Sequence, residues 1–128
     1  MVRGIDAAHV KHLLDADALP PVLDVLPEAS YRQRHLPRAQ HAPVDAPGFE
    51  RRVREIAPDP RAPVIVYDDG DRSGAARAAA HKLEAAGFSD VRLVEGGLAA
   101  WRRLGEPFEG EGPRLTTGIA DTGPPGGG

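Results

Sequence analysis

The chain contains no cysteine. Disulfides, thiolate metal sites and a thiol nucleophile of its own are therefore excluded. Positive charge is not in excess: 16 lysines and arginines face 19 aspartates and glutamates, for a net charge of −3. A nucleic-acid partner is not expected from that balance. No apolar run is long enough to cross a bilayer, and Met1-Val2-Arg3-Gly4-Ile5-Asp6 lacks the apolar stretch of a signal peptide. A cytoplasmic location with no membrane partner is the expectation, and the lack of cysteine fits a reducing compartment. What is present is ordinary for a globular chain: 128 residues, 41% hydrophobic and 27% charged. That is one domain's length by the usual ~100–150 residues, with enough chain to bury a core without a disulfide or metal.

Asp6 is placed to cap a helix running to about Asp17, with Ile5 stapling onto Val10 and Leu13 and Leu14 continuing the apolar face. After Pro20-Pro21, residues 22–26 read as a buried strand ended by Pro27. Residues 28–47 carry Pro37, Pro43 and Pro47 and little periodicity, which predicts a short helical turn near Tyr31 and then loop. Phe49, Val53 and Ile56 fall at helical spacing, predicting a helix over 48–57. Val64-Ile65-Val66-Tyr67 is continuously apolar, as in a strand buried on both faces, and Asp68-Asp69-Gly70-Asp71 follows as loop. Residues 73–86 read as an alanine-rich helix with Ser73 as N-cap and Gly87 just past its end. Residues 91–94 form a further strand, Gly96-Gly97 a turn, and 98–104 a short helix stopped by Gly105.

Residues 1–107 are expected to form the domain. Residues 108–128 are expected to be a disordered tail, because a Gly/Pro-rich segment buries too little to offset its ordering entropy. Strands alternating with helices predict a small doubly wound α/β fold, with a mainly parallel sheet and helices on both faces. Ligands sit at the carboxyl ends of strands in such folds. The loop after Tyr67, leading into the alanine-rich helix, is therefore the candidate site.

Several stretches carry a resemblance. They are Val22-Leu23-Asp24-Val25; His35-Leu36-Pro37 with Ala39; Val64-Ile65-Val66-Tyr67; Gly70-Asp71-Arg72-Ser73; and Gly87-Phe88 followed by Val91, Val94-Glu95-Gly96-Gly97 and Ala100-Trp101. In this order and spacing the chain resembles the rhodanese-like domain family over roughly residues 5–107. The resemblance implies that the loop after the Val-Tyr strand would carry a persulfide-bearing cysteine in an active member. It also implies that loop amides and the next helix's N-terminus would cradle an anionic substrate. Here Asp68 stands at the cysteine position with the Cys-x-x-x-x-Arg spacing one residue short, or, in a gap-free pairing, Tyr67 stands there; neither side chain can hold a transferable sulfur. A carboxylate cannot form a persulfide. Asp68, Asp69 and Asp71 also add negative charge where an anion would sit, against Arg72 and a helix dipole of typically ~0.3–1 kcal/mol. Tyr67-Asp68 and Ala75-Ala76-Arg77 are similar to the non-catalytic N-terminal domain of tandem sulfurtransferases. Leu26 stands where arginine is usual, and Arg34 and Arg38 stand where glycines are usual.

The bland readings of the other chemically capable residues prevail. Asp68, Asp69 and Asp71 could bind a divalent cation, but their spacing is not a Ca²⁺ loop, and no cofactor or metal is expected. Arg72 reads equally as an anion anchor or as a partner of Asp69 or Asp71. His9 and His12, three apart on a helix, lack a third ligand. His35 is expected to make a structural hydrogen bond and Trp101 to pack in the core. The arginines between residues 32 and 54 are expected on solvated faces.

The expected function is a non-catalytic binding or regulatory module, inactive as a sulfurtransferase. Its recognition loop is Asp68, Asp69, Gly70, Asp71, Arg72 and Ser73, and its partner is a protein or a small anion. One alternative is a contribution to thiosulfate- or mercaptopyruvate-type sulfur transfer with a cysteine-bearing partner in trans. Another is a scaffold with a dead pocket.

Overall fold

Side-chain alternation along the strands sets the layering. Val22, Ile65, Tyr67 and Val94 point to one side of a sheet; Leu23, Val64, Val66 and Val91 point to the other. The computed structural model describes residues 2–70 and 74–112. Asp71, Arg72, Ser73 and the part of the predicted tail beyond residue 112 lie outside the described residues.

The elements in chain order are β1 (Val2–Ile5), α1 (Ala7–Asp15), β2 (Val22–Asp24), α2 (Glu28–Gln33), β3 (Gln40–His41), α3 (Phe49–Ile56), β4 (Val64–Tyr67), α4 (Ala75–Ala85), β5 (Val91–Val94) and α5 (Gly97–Arg103). The strands form one parallel sheet in the order β1-β5-β4-β2-β3. Val64 of β4 pairs with Val91 of β5, and Ile65 pairs with Val22 of β2. Every residue of β4 is buried, as expected of a central strand covered on both faces. The α/β class, the parallel sheet and the two helical layers match the sequence reading.

On one face, Phe49 and Val53 of α3 and Ala76, Ala79, Ala80 and Leu83 of α4 pack on Leu23, Val66 and Val91. The small alanine side chains let α4 lie close to the sheet. On the other face, Ala7 and Val10 of α1 and Trp101 of α5 cover Val22, Ile65 and Tyr67. Trp101 is 1% exposed and donates its indole N–H to the Pro107 carbonyl at 3.1 Å. Packing on this face continues through buried Phe108, and Glu109 exchanges backbone hydrogen bonds with His35. Asp6 caps α1 as predicted, its carboxylate accepting from the His9 amide at 2.8 Å. Among the described residues, no helix is long and apolar enough to cross a membrane.

The two outer strands, β1 and β3, were not predicted. The 22–26 strand is shorter than expected, because beyond Asp24 the chain turns away while Val25 and Leu26 stay buried.

Candidate functional site

The candidate loop leaves the carboxyl end of β4, as the fold rule requires. Asp68 is the first residue after the strand, and both of its carboxylate oxygens are engaged. Oδ1 accepts from the Gly70 amide at 2.8 Å, and Oδ2 accepts from the Ala76 amide at 2.9 Å. Ala76 is the second residue of α4, whose amide has no partner inside the helix. The N-cap position is Gly74, at φ +71°, which brings no side chain; Ser73, the expected cap, lies outside the described residues. Asp68 supplies the cap from eight residues upstream and sets its negative charge at the positive end of the helix. The Gly70 and Ala76 amides thus hold the protein's own carboxylate.

The loop is clasped by the start of α5. The Leu98 amide donates to the Asp68 carbonyl at 2.9 Å, and the Ala99 amide donates to the Asp69 carbonyl at 3.1 Å. This places the backbone of Gly96-Gly97 directly against the loop. A Cβ on Gly97, at φ +48°, would run into the Asp68 carbonyl, and one on Gly70, at φ +86°, would run into the Gly96 carbonyl. The predicted turn is thus a backbone-to-backbone contact that only glycine permits.

Beneath the loop lies a buried polar pair. The Tyr67 hydroxyl donates to Asp24 Oδ2 at 2.6 Å and accepts from the Leu36 amide at 3.0 Å. Asp24 Oδ1 accepts from the Leu26 amide at 2.9 Å. Burial pushes the Asp24 carboxyl above the usual carboxylate range, opposed by the bonds from Tyr67 and Leu26 and by His41 and His35. Burial, and then the Asp24 charge, pushes the Tyr67 phenol well above its ordinary value. Neither group faces solvent, so the pair ties β2 and β4 to the His35-Leu36-Pro37 segment rather than serving chemistry.

The Tyr31 ring is stacked between His35, at 3.9 Å between centroids, and His41, at 4.7 Å. His35 Nδ1 lies 2.7 Å from the Tyr31 carbonyl, and His41 Nε2 lies 2.6 Å from the Leu26 carbonyl. A carbonyl only accepts, so these ring nitrogens carry the protons. The structural role expected of His35 holds, whereas His41 gave no sign of its part in the sequence.

Beside the loop opens a cleft of about 500 Å³. Arg34, Arg102 and Arg103 line it together with Asp69, and its apolar lining includes Leu26, Leu98 and Phe108. Of the predicted loop residues that are described, Asp69 alone reaches it. Sequence reasoning noted Arg34 as a departure from the family pattern but missed Arg102 and Arg103, which only the fold brings beside it.

His9 and His12 are exposed on α1. Among the described residues, no group of three histidine or acidic side chains is placed to hold a metal ion. Arg32, Arg38, Arg52 and Arg54 are exposed and paired with nearby carboxylates, as solvated faces should be.

Residues 6–104 match the family model described as Rhodanese-like domain. The chain is 34% identical over 130 aligned positions to the Mycobacterium tuberculosis protein named "Putative thiosulfate sulfurtransferase SseB", covering 82% of this chain. It spans 45% of the length of the curated relatives it matches. The Alr3790 protein from Anabaena sp. superposes with a TM-score of 0.73 at 30% identity, over 84% of this chain and 82% of that one. A thiosulfate sulfurtransferase from Pseudomonas aeruginosa superposes with a TM-score of 0.76 at 31% identity, over 85% of this chain and 20% of its own.

Proposed function

The chain belongs to the rhodanese-like domain family, and on that premise we propose that it is a binding or regulatory module without sulfurtransferase activity of its own. Its recognition region is the loop of residues 68–73 and the surface beside it. One observation carries this reading: at the position where an active member needs a thiol, the Asp68 carboxylate is bonded to the Gly70 and Ala76 amides. Sulfur transfer requires an atom that can form and release a sulfur–sulfur bond. A carboxylate cannot do this, and the chain has no cysteine to substitute. The test is thiocyanate formation from thiosulfate and cyanide by the purified chain. The expected rate is that of buffer alone. Turnover that scales with protein concentration and survives removal of trace thiols would overturn the reading.

A second reading is favoured by length. The chain spans 45% of relatives whose printed name is a thiosulfate sulfurtransferase. It would then act beside a cysteine-bearing domain supplied by another chain or segment. Adding the chain to a cysteine-bearing rhodanese domain and measuring the same reaction separates the two. Stimulation supports the second reading, and an unchanged rate supports the first.

A further inference from the structure

We propose that the cleft beside the loop binds a small organic oxyanion, a carboxylate, sulfonate or phosphate group on a short apolar body, through Arg34, Arg102 and Arg103. The inference rests on the reading that the domain binds rather than transfers. The Arg34 Nε is buried and has no hydrogen-bond partner among the described residues. A donor hidden from water without an acceptor is costly, more so on a charged group. None of the three guanidinium groups has an acidic partner among the described residues, whereas Arg32, Arg38, Arg52, Arg54 and Arg92 all do. Asp69 is the single acid among the described lining residues, which place three positive charges against one negative.

An oxyanion supplies what this cleft lacks. Its oxygens match the planar fork of a guanidinium, and its charge offsets three cations without an acidic partner among the described residues. The Ala76 amide at the start of α4 does not compete for it, because it already donates to Asp68. The apolar lining of Leu26, Leu98 and Phe108 favours a ligand with a hydrocarbon portion over a bare ion. A volume of about 500 Å³ suits a small molecule rather than a peptide.

The test is calorimetric titration of the full chain in Tris at fixed ionic strength, with phenyl phosphate, benzenesulfonate, benzoate, inorganic phosphate and phenol. At least one of the three aromatic anions should bind, more tightly than inorganic phosphate, and phenol should not. The ranking of the three identifies the head group. Arg102 and Arg103 are exposed, so their double alanine variant should fold and bind about tenfold more weakly or worse. Arg34→Lys, which keeps the charge but not the fork, should also weaken binding. Arg51→Ala, an exposed arginine on α3 away from the cleft, should leave affinity unchanged. Absence of heat from every anion at millimolar concentration overturns the proposal. So does an equal loss in Arg51→Ala and the double variant, which would mean diffuse charge attraction. Either failure leaves the sulfur-transfer result untouched, so the two readings fail separately.

Discussion

Tyr67→Phe removes one oxygen from the centre of the protein and strands two groups at once. The Leu36 amide loses its acceptor, and Asp24 loses a 2.6 Å donor, in a site closed to bulk solvent. An unsatisfied buried amide costs about 1–3 kcal/mol, and a hydrogen bond to a charged group contributes about 1.5–3 kcal/mol. The ring stays in place, so no cavity term is added. The expected loss is about 4 kcal/mol, a large share of the ~5–15 kcal/mol that stabilises a typical domain. At ~4 °C per kcal/mol for a domain of about 100 residues, the melting temperature should fall by about 15 °C. The assay is urea unfolding at neutral pH, followed by the fluorescence of Trp101, the single tryptophan and a buried one. Asp24→Asn and the double variant complete a cycle, in which a coupling of about 1 kcal/mol or more is expected for residues in direct contact. A loss below about 1 kcal/mol in Tyr67→Phe, or strict additivity in the cycle, would refute the claim that this pair holds β2, β4 and the Leu36 segment together.

Asp68→Ala should cost about 1–2 kcal/mol in the same urea assay, the range of a lost helix cap, and Asp68→Asn less because one acceptor survives. An unchanged midpoint in Asp68→Ala would remove Asp68 as the cap of α4. The pH dependence of stability should carry the mark of Asp24. Its folded pKa is raised, so the native state holds this proton more firmly than the unfolded chain does. Its favourable contribution is complete below the ordinary carboxylate pKa and is lost as pH rises through the folded value. Wild type minus Asp24→Asn should therefore fall with rising pH across that window and then level off; parallel curves would contradict it.

The sequence disclosed the central layers and hid the margins. β4 was legible because Val64-Ile65-Val66-Tyr67 is short, apolar throughout and rich in β-branched residues, as a strand in a sheet interior is. β1 was not: two of its four residues are exposed arginine and glycine, and its strand character comes from β5. β3 is two residues long, one of them exposed, and leaves no periodicity to find. At the site, the lack of any cysteine and the carboxylate of Asp68 after the Val-Tyr strand could be read directly from the sequence. That Asp68 caps α4 could not, since local rules look for a cap beside the helix and this one comes from the end of a strand. Arg34, just past the end of α2, lies far in sequence from Arg102 and Arg103 of α5, so their convergence exists only after folding.

The pairing of β1 with β5 orders events in time. Val2, near one end of the described chain, finds its neighbour in Val91, near the other. A chain emerging from the ribosome makes β1 well before β5, and β1 has no strand to pair with until β5 is synthesised. The β2–β4 pair, closer in sequence, can form sooner. Until β5 arrives, one edge of β4 lacks its neighbour, and an unpaired strand edge invites association with other chains. A short strand carrying an exposed Arg3 and Gly4 suits an element that has to wait in solvent: it offers little for a wrong partner to hold.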